Sequence, residues 1–356
     1  MESGIARFID AYRKHIDSDK VHMDFMVHRL WPHDLCGEME SSGCAVHKVP
    51  DLKARNIGLL RRELADFYAR NKGSYDIVHC HIPNAAFLHL KAAAEGGVRV
   101  RVLHSHLAGS SDRPLKRLRN APLVALGKRS ATHAVACSQA AGRYLFGSEP
   151  FEIMRNGVDL ETFAFDDQAR TRIRRELGLT GNVPVVGCVG RLSKQKNFAL
   201  ALDAVAALHD QDQDVRLVIA GDGPLRPSLE ARAARLGVAE ISRFLGVRDD
   251  VAALYSAFDV LVAPSIVEGF PVVAVEAQAA GLPCVFSTDV TREVALSGAC
   301  RFLDRSAGAQ AWADALSSSL RVGRNENAVE TVRRAGYSIA DAANALADYY
   351  ENALGR

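Results

Sequence analysis

No apolar run in this 356-residue chain approaches the roughly 20 consecutive residues that a bilayer-spanning helix needs, although 48% of its residues are hydrophobic. The opening, Met1-Glu-Ser-Gly-Ile5, has neither the basic start nor the apolar stretch of a secretion signal. A cytoplasmic protein is therefore expected. Seven cysteines, at 36, 44, 80, 137, 188, 284 and 300, are odd in number and widely scattered. They read as reduced core thiols, not as a disulfide framework. Aromatic residues make up only 7% of the chain and the net charge is +2, so the stacking platforms and strongly basic balance of a nucleic-acid binder are missing. Asp-x-Asp occurs only as Asp17-Ser-Asp19, Asp210-Gln-Asp212 and Asp212-Gln-Asp214, all in polar turns, and no metal site or metal dependence is expected. No Gly-x-Gly-x-x-Gly opens either of the strand series described below, which disfavours a dinucleotide dehydrogenase. Internal repeats and low-complexity tracts are absent as well.

What is present is an ordinary globular composition, with 24% charged residues and a length that suggests two domains. The small net charge hides an asymmetry. Residues 1–160 carry 23 Lys+Arg against 17 Asp+Glu, a net +6, and residues 161–356 carry 21 against 25, a net −4. The excess is local, because residues 113–148 hold seven Lys or Arg and no acid. Leu115, Leu118, Leu123, Val124 and Leu126 interleave with Arg113, Lys116, Arg117, Arg119, Lys128 and Arg129. That pattern fits a helix on an anionic membrane surface or one gripping an anionic acceptor, and equally a solvated basic helix face.

Short β-branched runs alternate with helical patterns along the whole chain. Residues 21–27, 77–79, 98–103, 134–136 and 151–154 read as strands, with helices at 5–15, 56–70, 85–94 and 139–146. After a polar segment at 166–182 a second series begins, with strands at 183–189, 216–220, 243–245, 260–262 and 283–286. Helices are expected between them at 198–208, 224–236, 249–257 and 271–280, and an amphipathic helix at 339–354 ends the chain. Such alternation specifies an α/β protein with two doubly wound parallel sheets. Ligands bind these sheets at the carboxyl ends of the strands.

Nearly every polar signature falls at such an end. Gly190-Arg191-Leu-Ser-Lys-Gln-Lys196 follows the strand at 183–189. Its guanidinium can hold phosphate bidentately, and its ammonium adds a mobile point charge. Gly221-Asp-Gly-Pro224 is a tight turn whose glycines let another group approach the backbone, and Gly246-Val247-Arg248 opens beside the same crest. Glu268-Gly269-Phe270-Pro271-Val-Val-Ala-Val-Glu276 sets two carboxylates around a sharp turn. If a helix opens there, its free N–H groups offer a seat for a phosphate or a sugar oxygen. Glu276 then lies two turns beyond Glu268, and each carboxylate can accept from a hydroxyl pair.

This ordered set resembles the retaining glycosyltransferases of family four, which have the GT-B fold. The resemblance is close over residues 183–286. It runs more loosely through Asp76-Ile-Val-His-Cys-His81, Val102-Leu-His-Ser-His106, Ala136-Cys-Ser138 and Arg155-Asn-Gly-Val-Asp159, which look like stretches of bacterial capsule and exopolysaccharide enzymes. It implies a first Rossmann-like domain at 1–160 on the acceptor side, a nucleotide-sugar domain at 161–335, and a helix at 336–356 that crosses back onto the first domain. By the same resemblance Gly190, Arg191 and Lys196 hold the donor diphosphate with Gly221 close by, and Glu276 holds the ribose. Gly246, Val247 and Arg248 sit by the base, and Glu268 with Gly269, Phe270 and Pro271 holds the transferred sugar.

His104, with His106 and His81 as competitors, is expected to face that sugar. The implied reaction moves a hexose, with retention, from a UDP- or GDP-sugar substrate to a saccharide or lipid-linked acceptor. It needs no cofactor or metal, and it belongs at the inner membrane face in cell-surface polysaccharide synthesis. A catalytically silent nucleotide-sugar binder and a GT-B nucleotide-sugar epimerase are the alternatives. The resemblance also implies a strand leading into Ser3-Gly4-Ile5, where only two residues precede, so the first sheet is expected to lack its central strand.

Overall fold

A computed structural model describes residues 4–29, 35–107, 114–179 and 181–355. The chain divides into two compact units, one comprising Glu2–Gly157 with Ile339–Arg356 and the other Val158–Ser338. In the unit built from both chain ends, β1 (Phe25–Val27) and β2 (Val46–Lys48) form a parallel pair. A separate parallel sheet runs in the order β3 (Ile77–Cys80), β4 (Val100–Ser105), β5 (His133–Ala136), β6 (Glu152–Ile153). The single sheet expected here is thus two ladders, because among the described residues β1 pairs with β2 and not with β3. Gly4 opens a helix, Gly4–His15, and Ser3 lies outside the described residues.

The helices Gly4–His15 and Ile339–Leu354 pack on the β3–β6 sheet, where Phe8, Tyr12, Ile339, Ala343 and Leu346 join Val100, Val102 and Val135 in one apolar cluster. The fit is close, since a Cβ at Gly157 would stand 2.7 Å from the Ile339 Cα. The last stretch of chain therefore completes the core of the unit that the first stretch begins.

One expectation needs revision. Segment 166–182, read as a polar connector, contains the helix Asp167–Glu176. Asp166 caps it by accepting from the Gln168 and Ala169 N–H groups at 2.8 and 3.1 Å, satisfying donors that the helix itself cannot. Within the acid-free stretch, Lys128 meets a carboxylate from just outside, Glu149, at 2.7 Å. It lies on the helix Pro114–Ser130. Arg113 and the side chains of Lys116, Arg117 and Arg119 lie outside the described residues, and Arg129 is exposed.

The second unit has one six-stranded parallel sheet in the order β12-β11-β10-β7-β8-β9. Its strands are β7 (Val185–Val189), β8 (Arg216–Ala220), β9 (Ser242–Gly246), β10 (Val260–Ala263), β11 (Cys284–Ser287) and β12 (Cys300–Leu303). The chain lays β8 and β9 to one side of β7, then returns to place β10, β11 and β12 on the other. Strand order reverses between β7 and β10, and at such a point the connections diverge to opposite faces and leave a crevice above the strand ends. Both faces are covered, which explains why β7, β8 and β10 read as unbroken apolar runs. Val186, Cys188, Leu217, Ile219 and Val262 are almost fully buried with Trp312.

Gly187 in β7 has the Phe258 ring where a Cβ would stand. Gly187→Ala should therefore destabilise this unit by about 1–3 kcal/mol through overpacking. Gly58→Ala, in the helix Ile57–Arg70 with open space around the position, should stabilise by about 0.5–1 kcal/mol. Urea midpoints of the two variants would check the contrast, and equal shifts would refute it.

Candidate functional site

The turns that follow β7 and β10 flank the reversal point. After Val189 the chain crosses the neighbouring turn at backbone contact distance, so that a Cβ on Gly221 would fall on the Gly190 carbonyl oxygen. The crossing is tied by main-chain bonds. Gly190 N–H donates to Ala220 O at 2.9 Å, Leu192 N–H to Asp222 O at 3.0 Å, and Gly221 N–H to Gly246 O at 2.7 Å. Glycine suits positions 190 and 221 twice over, because their φ angles are +145° and +131°, values that side chains disfavour.

Beyond the crossing, Asn197 adopts the left-handed conformation with φ 53°, which asparagine tolerates. It turns the chain into the helix Phe198–His209. The same loop is stitched to the turn after β10. Ile266 N–H donates to Gln195 O at 2.7 Å, and Gln195 Nε2 donates to Val267 O at 2.9 Å.

These constraints bring Lys196 Nζ to 2.6 Å from Glu268 Oε1. Both side chains are largely buried, at 19% and 10% exposure, so the pair is well shielded from solvent and each charge needs the other. Arg191 stands on the same turn, exposed, with no hydrogen-bonding partner among the described residues. The crest thus holds one neutralised cation, Lys196, and two exposed cations on the same turn, Arg191 and Lys194.

The structure brings Gly269, Phe270 and Pro271 directly after Glu268, but the helix begins only at Val272 and runs to Ala279. The expected two-turn helical separation of Glu268 and Glu276 is therefore revised, since only its second half is helical. Pro271 is the N-cap residue and has no N–H to offer. Phe270 is buried and stacks on Tyr337, with centroids 5.0 Å apart and planes inclined by 10°. Glu276 is half-buried and accepts a 2.8 Å hydrogen bond from the Tyr255 hydroxyl. Arg324 holds the chain around Tyr255 by donating to the carbonyls of Tyr255, Ser256 and Ala280 at 2.9, 2.7 and 2.5 Å.

On the β9 side, Gly246 turns with φ +73° and Val247 is half-exposed. Arg248 is not free to meet a base through its charge. Its guanidinium donates to Glu176 at 2.7 and 3.3 Å and to Asp250 at 2.8 Å through both Nε and Nη2. Those carboxylates hold its pKa above the usual range. Arg226 reaches the crest instead, donating to Phe244 O at 3.1 Å. Sequence reasoning missed Gln195, Tyr255 and Arg226; no spacing marks them, because each acts on a partner distant in the chain.

The histidines form a group in the other unit. His104 lies inside β4 and is fully buried, so it presents no exposed imidazole. His79 Nε2 is 3.1 Å from His104 Nδ1, and His81 Nδ1 is 2.9 Å from His106 Nε2. Burial pushes all four below the ordinary histidine pKa, His81 to about 4. All are neutral at pH 7.

Comparisons with known proteins bear on both units. Residues 3–162 match the family described as Glycosyltransferase Family 4, and residues 183–321 match Glycosyl transferases group 1. A protein named as glycosyltransferase EpsF, from Bacillus subtilis, is 34% identical over 96% of this chain and 91% of its own length. D-inositol 3-phosphate glycosyltransferase of Corynebacterium glutamicum is 30% identical over 82% of this chain and 75% of its own. Among solved structures, a glycosyltransferase from Rickettsia africae superposes with a TM-score of 0.80 at 16% identity, covering 99% of this chain and 95% of that one. HepE from Anabaena, in complex with UDP and glucose, gives 0.79 at 20% identity and covers 98% and 96%. With one strand-order reversal supporting a charged crest, and with sequence likeness running through both units, the chain belongs to the family-four, group-1 glycosyltransferases of GT-B fold.

Proposed function

We propose that this glycosyltransferase moves a hexose from a UDP- or GDP-sugar to a saccharide or lipid-linked acceptor, with retention of anomeric configuration and without a metal at the diphosphate. The observation that carries the reading is the shielded Lys196–Glu268 pair beside the available Arg191, at the reversal point of the sheet. Breaking the sugar–diphosphate bond develops negative charge on the departing nucleotide. Fixed cations at that spot stabilise the transition state more than the ground state.

A diphosphate arriving beside Arg191 draws Lys196 away from Glu268. The released carboxylate then accepts from the hydroxyls of the sugar, so the two halves of the donor are bound by the two halves of the former pair. Glu276, oriented by Tyr255, accepts from the ribose. The acid-free stretch at 113–148 supports an anionic membrane face as the place of work, which suits a lipid-linked acceptor in cell-surface polysaccharide synthesis.

Lys196→Ala and Arg191→Ala should each slow transfer by roughly 10²-fold or more and weaken nucleoside diphosphate binding. Glu268→Gln should bind the bare diphosphate more tightly, because Lys196 loses its competitor, while transfer falls. Calorimetric titration with UDP and GDP beside steady-state rates would decide, and unchanged diphosphate affinity in both cation variants would remove the clamp. The donor itself is identified by which nucleotide-sugar raises the thermal midpoint, as mass action requires. Retention is read from the product anomer by NMR, and metal independence from an undiminished rate in chelator.

Glu276→Ala should chiefly weaken the nucleotide. Tyr255→Phe, which only loosens that carboxylate, should do the same to a smaller degree, with kcat nearly kept. A kcat loss in Tyr255→Phe as large as that in Glu268→Gln would assign the wrong carboxylate to the ribose. For the acceptor side, vesicle partition should weaken as salt rises, and charge reversal of Lys116, Arg117 and Arg119 should cost about 1 kcal/mol per charge. Salt-insensitive partition would remove the membrane from the reading.

A further inference from the structure

Four histidines of the chain-end unit occupy alternate positions, 79 and 81 at the end of β3, 104 and 106 at the end of β4. Alternate residues of a strand face the same side. The register pairs Cys80 with Leu103, so the next step sets His81 beside His104. One donor atom each from His79, His81 and His104 lies within 4.8 Å of the others. Two nitrogens bound at about 2.0 Å to a tetrahedral ion lie about 3.3 Å apart, and His79 Nε2 and His104 Nδ1 are already 3.1 Å apart.

Hydrogen bonding alone does not satisfy this cluster. His79 Nδ1 is 2.7 Å from the Tyr350 hydroxyl and His79 Nε2 faces His104 Nδ1. That chain ends at His104 Nε2, which is buried and has no hydrogen-bond partner among the described residues. In one tautomer the atom is a buried donor without an acceptor, and in the other it is a bare lone pair aimed at nothing. Neither is cheap. A cation between His79 Nε2 and His104 Nδ1 takes the Nδ1 lone pair and so fixes the first tautomer, with the proton on Nε2.

We propose that His79, His81 and His104 form a site for a divalent late first-row transition-metal cation, with Zn2+ as the reference ion. Three neutral imidazoles on two adjacent strands match the ligand type and number such ions take. Outer partners are in place as well, as metal-binding histidines require. Tyr350 orients His79, His106 orients His81, and Phe8 packs edge-on to His104 at 5.7 Å, closing the site with an apolar ring. The ion would tie β3 and β4 to the helices that carry Phe8 and Tyr350.

The test uses the full chain, free of any affinity tag, stripped with chelator and titrated with Zn2+. One equivalent per chain should bind and raise the thermal midpoint. His79→Gln and His104→Gln should each weaken binding by about tenfold or more, and Tyr350→Phe by a smaller factor. His209→Gln, at an exposed histidine, should change nothing. Should the cluster variants fail to fold, X-ray absorption on the Zn2+-loaded native chain reads the ligands directly, and three or more imidazole nitrogens support the site. Fewer than three, binding below one equivalent, or undiminished binding in both folded cluster variants would overturn it.

Discussion

The near-contact of the Gly190 and Gly221 turns is the constraint on which the strand-end crest of the second unit rests. Two backbones pass with no space for a side chain, so the loop after β7 is pressed onto the crest and cannot swing into solvent. Main-chain bonds then carry that position outward to β9 through Gly246 and to the turn after β10 through Gln195. The Lys196–Glu268 pair is the product of this stitching. Its partners are 72 positions apart in sequence, and the entropy of bringing them together is met by the folding of the sheet, not by the ion pair. The backbone that carries the two charges is thus set in place by the sheet, and only the side chains are left to rearrange when another charge arrives.

Legibility in the sequence followed from burial and from distance along the chain. Strands β7, β8, β10 and β11 are covered on both faces, so each is an unbroken apolar run that stops at a polar turn. The strand β2, three residues long, carries no periodicity to detect. The helix Asp167–Glu176 was hidden because Arg174, a charged residue, is among its buried side chains, donating to Val183 O at 2.6 Å. A polarity pattern misreads a guanidinium buried on carbonyls as solvent-facing.

At the site, the cations and carboxylates announced themselves by type and by their place after strands. Their pairing did not. Arg248 looked available in sequence because nothing local shows that Glu176 lies beside it. The histidines had a usable signal, His-x-His at two strand ends, since a spacing of two places both rings on one face. Treating them as rivals for one role missed that they make a single group.

Phe270 links the turn after Glu268 to a distant part of the chain. Its ring lies flat on Tyr337, and the Tyr337 carbonyl accepts from the Val158 N–H at 2.9 Å. Val158 and Ser338 are the first and last residues of the unit's main segment. Entry and exit of the chain are therefore coupled, through one aromatic stack, to the residue two places after Glu268. A substitution that removes the Phe270 ring therefore strips Tyr337 of its stacking partner at the point where the chain enters and leaves the unit.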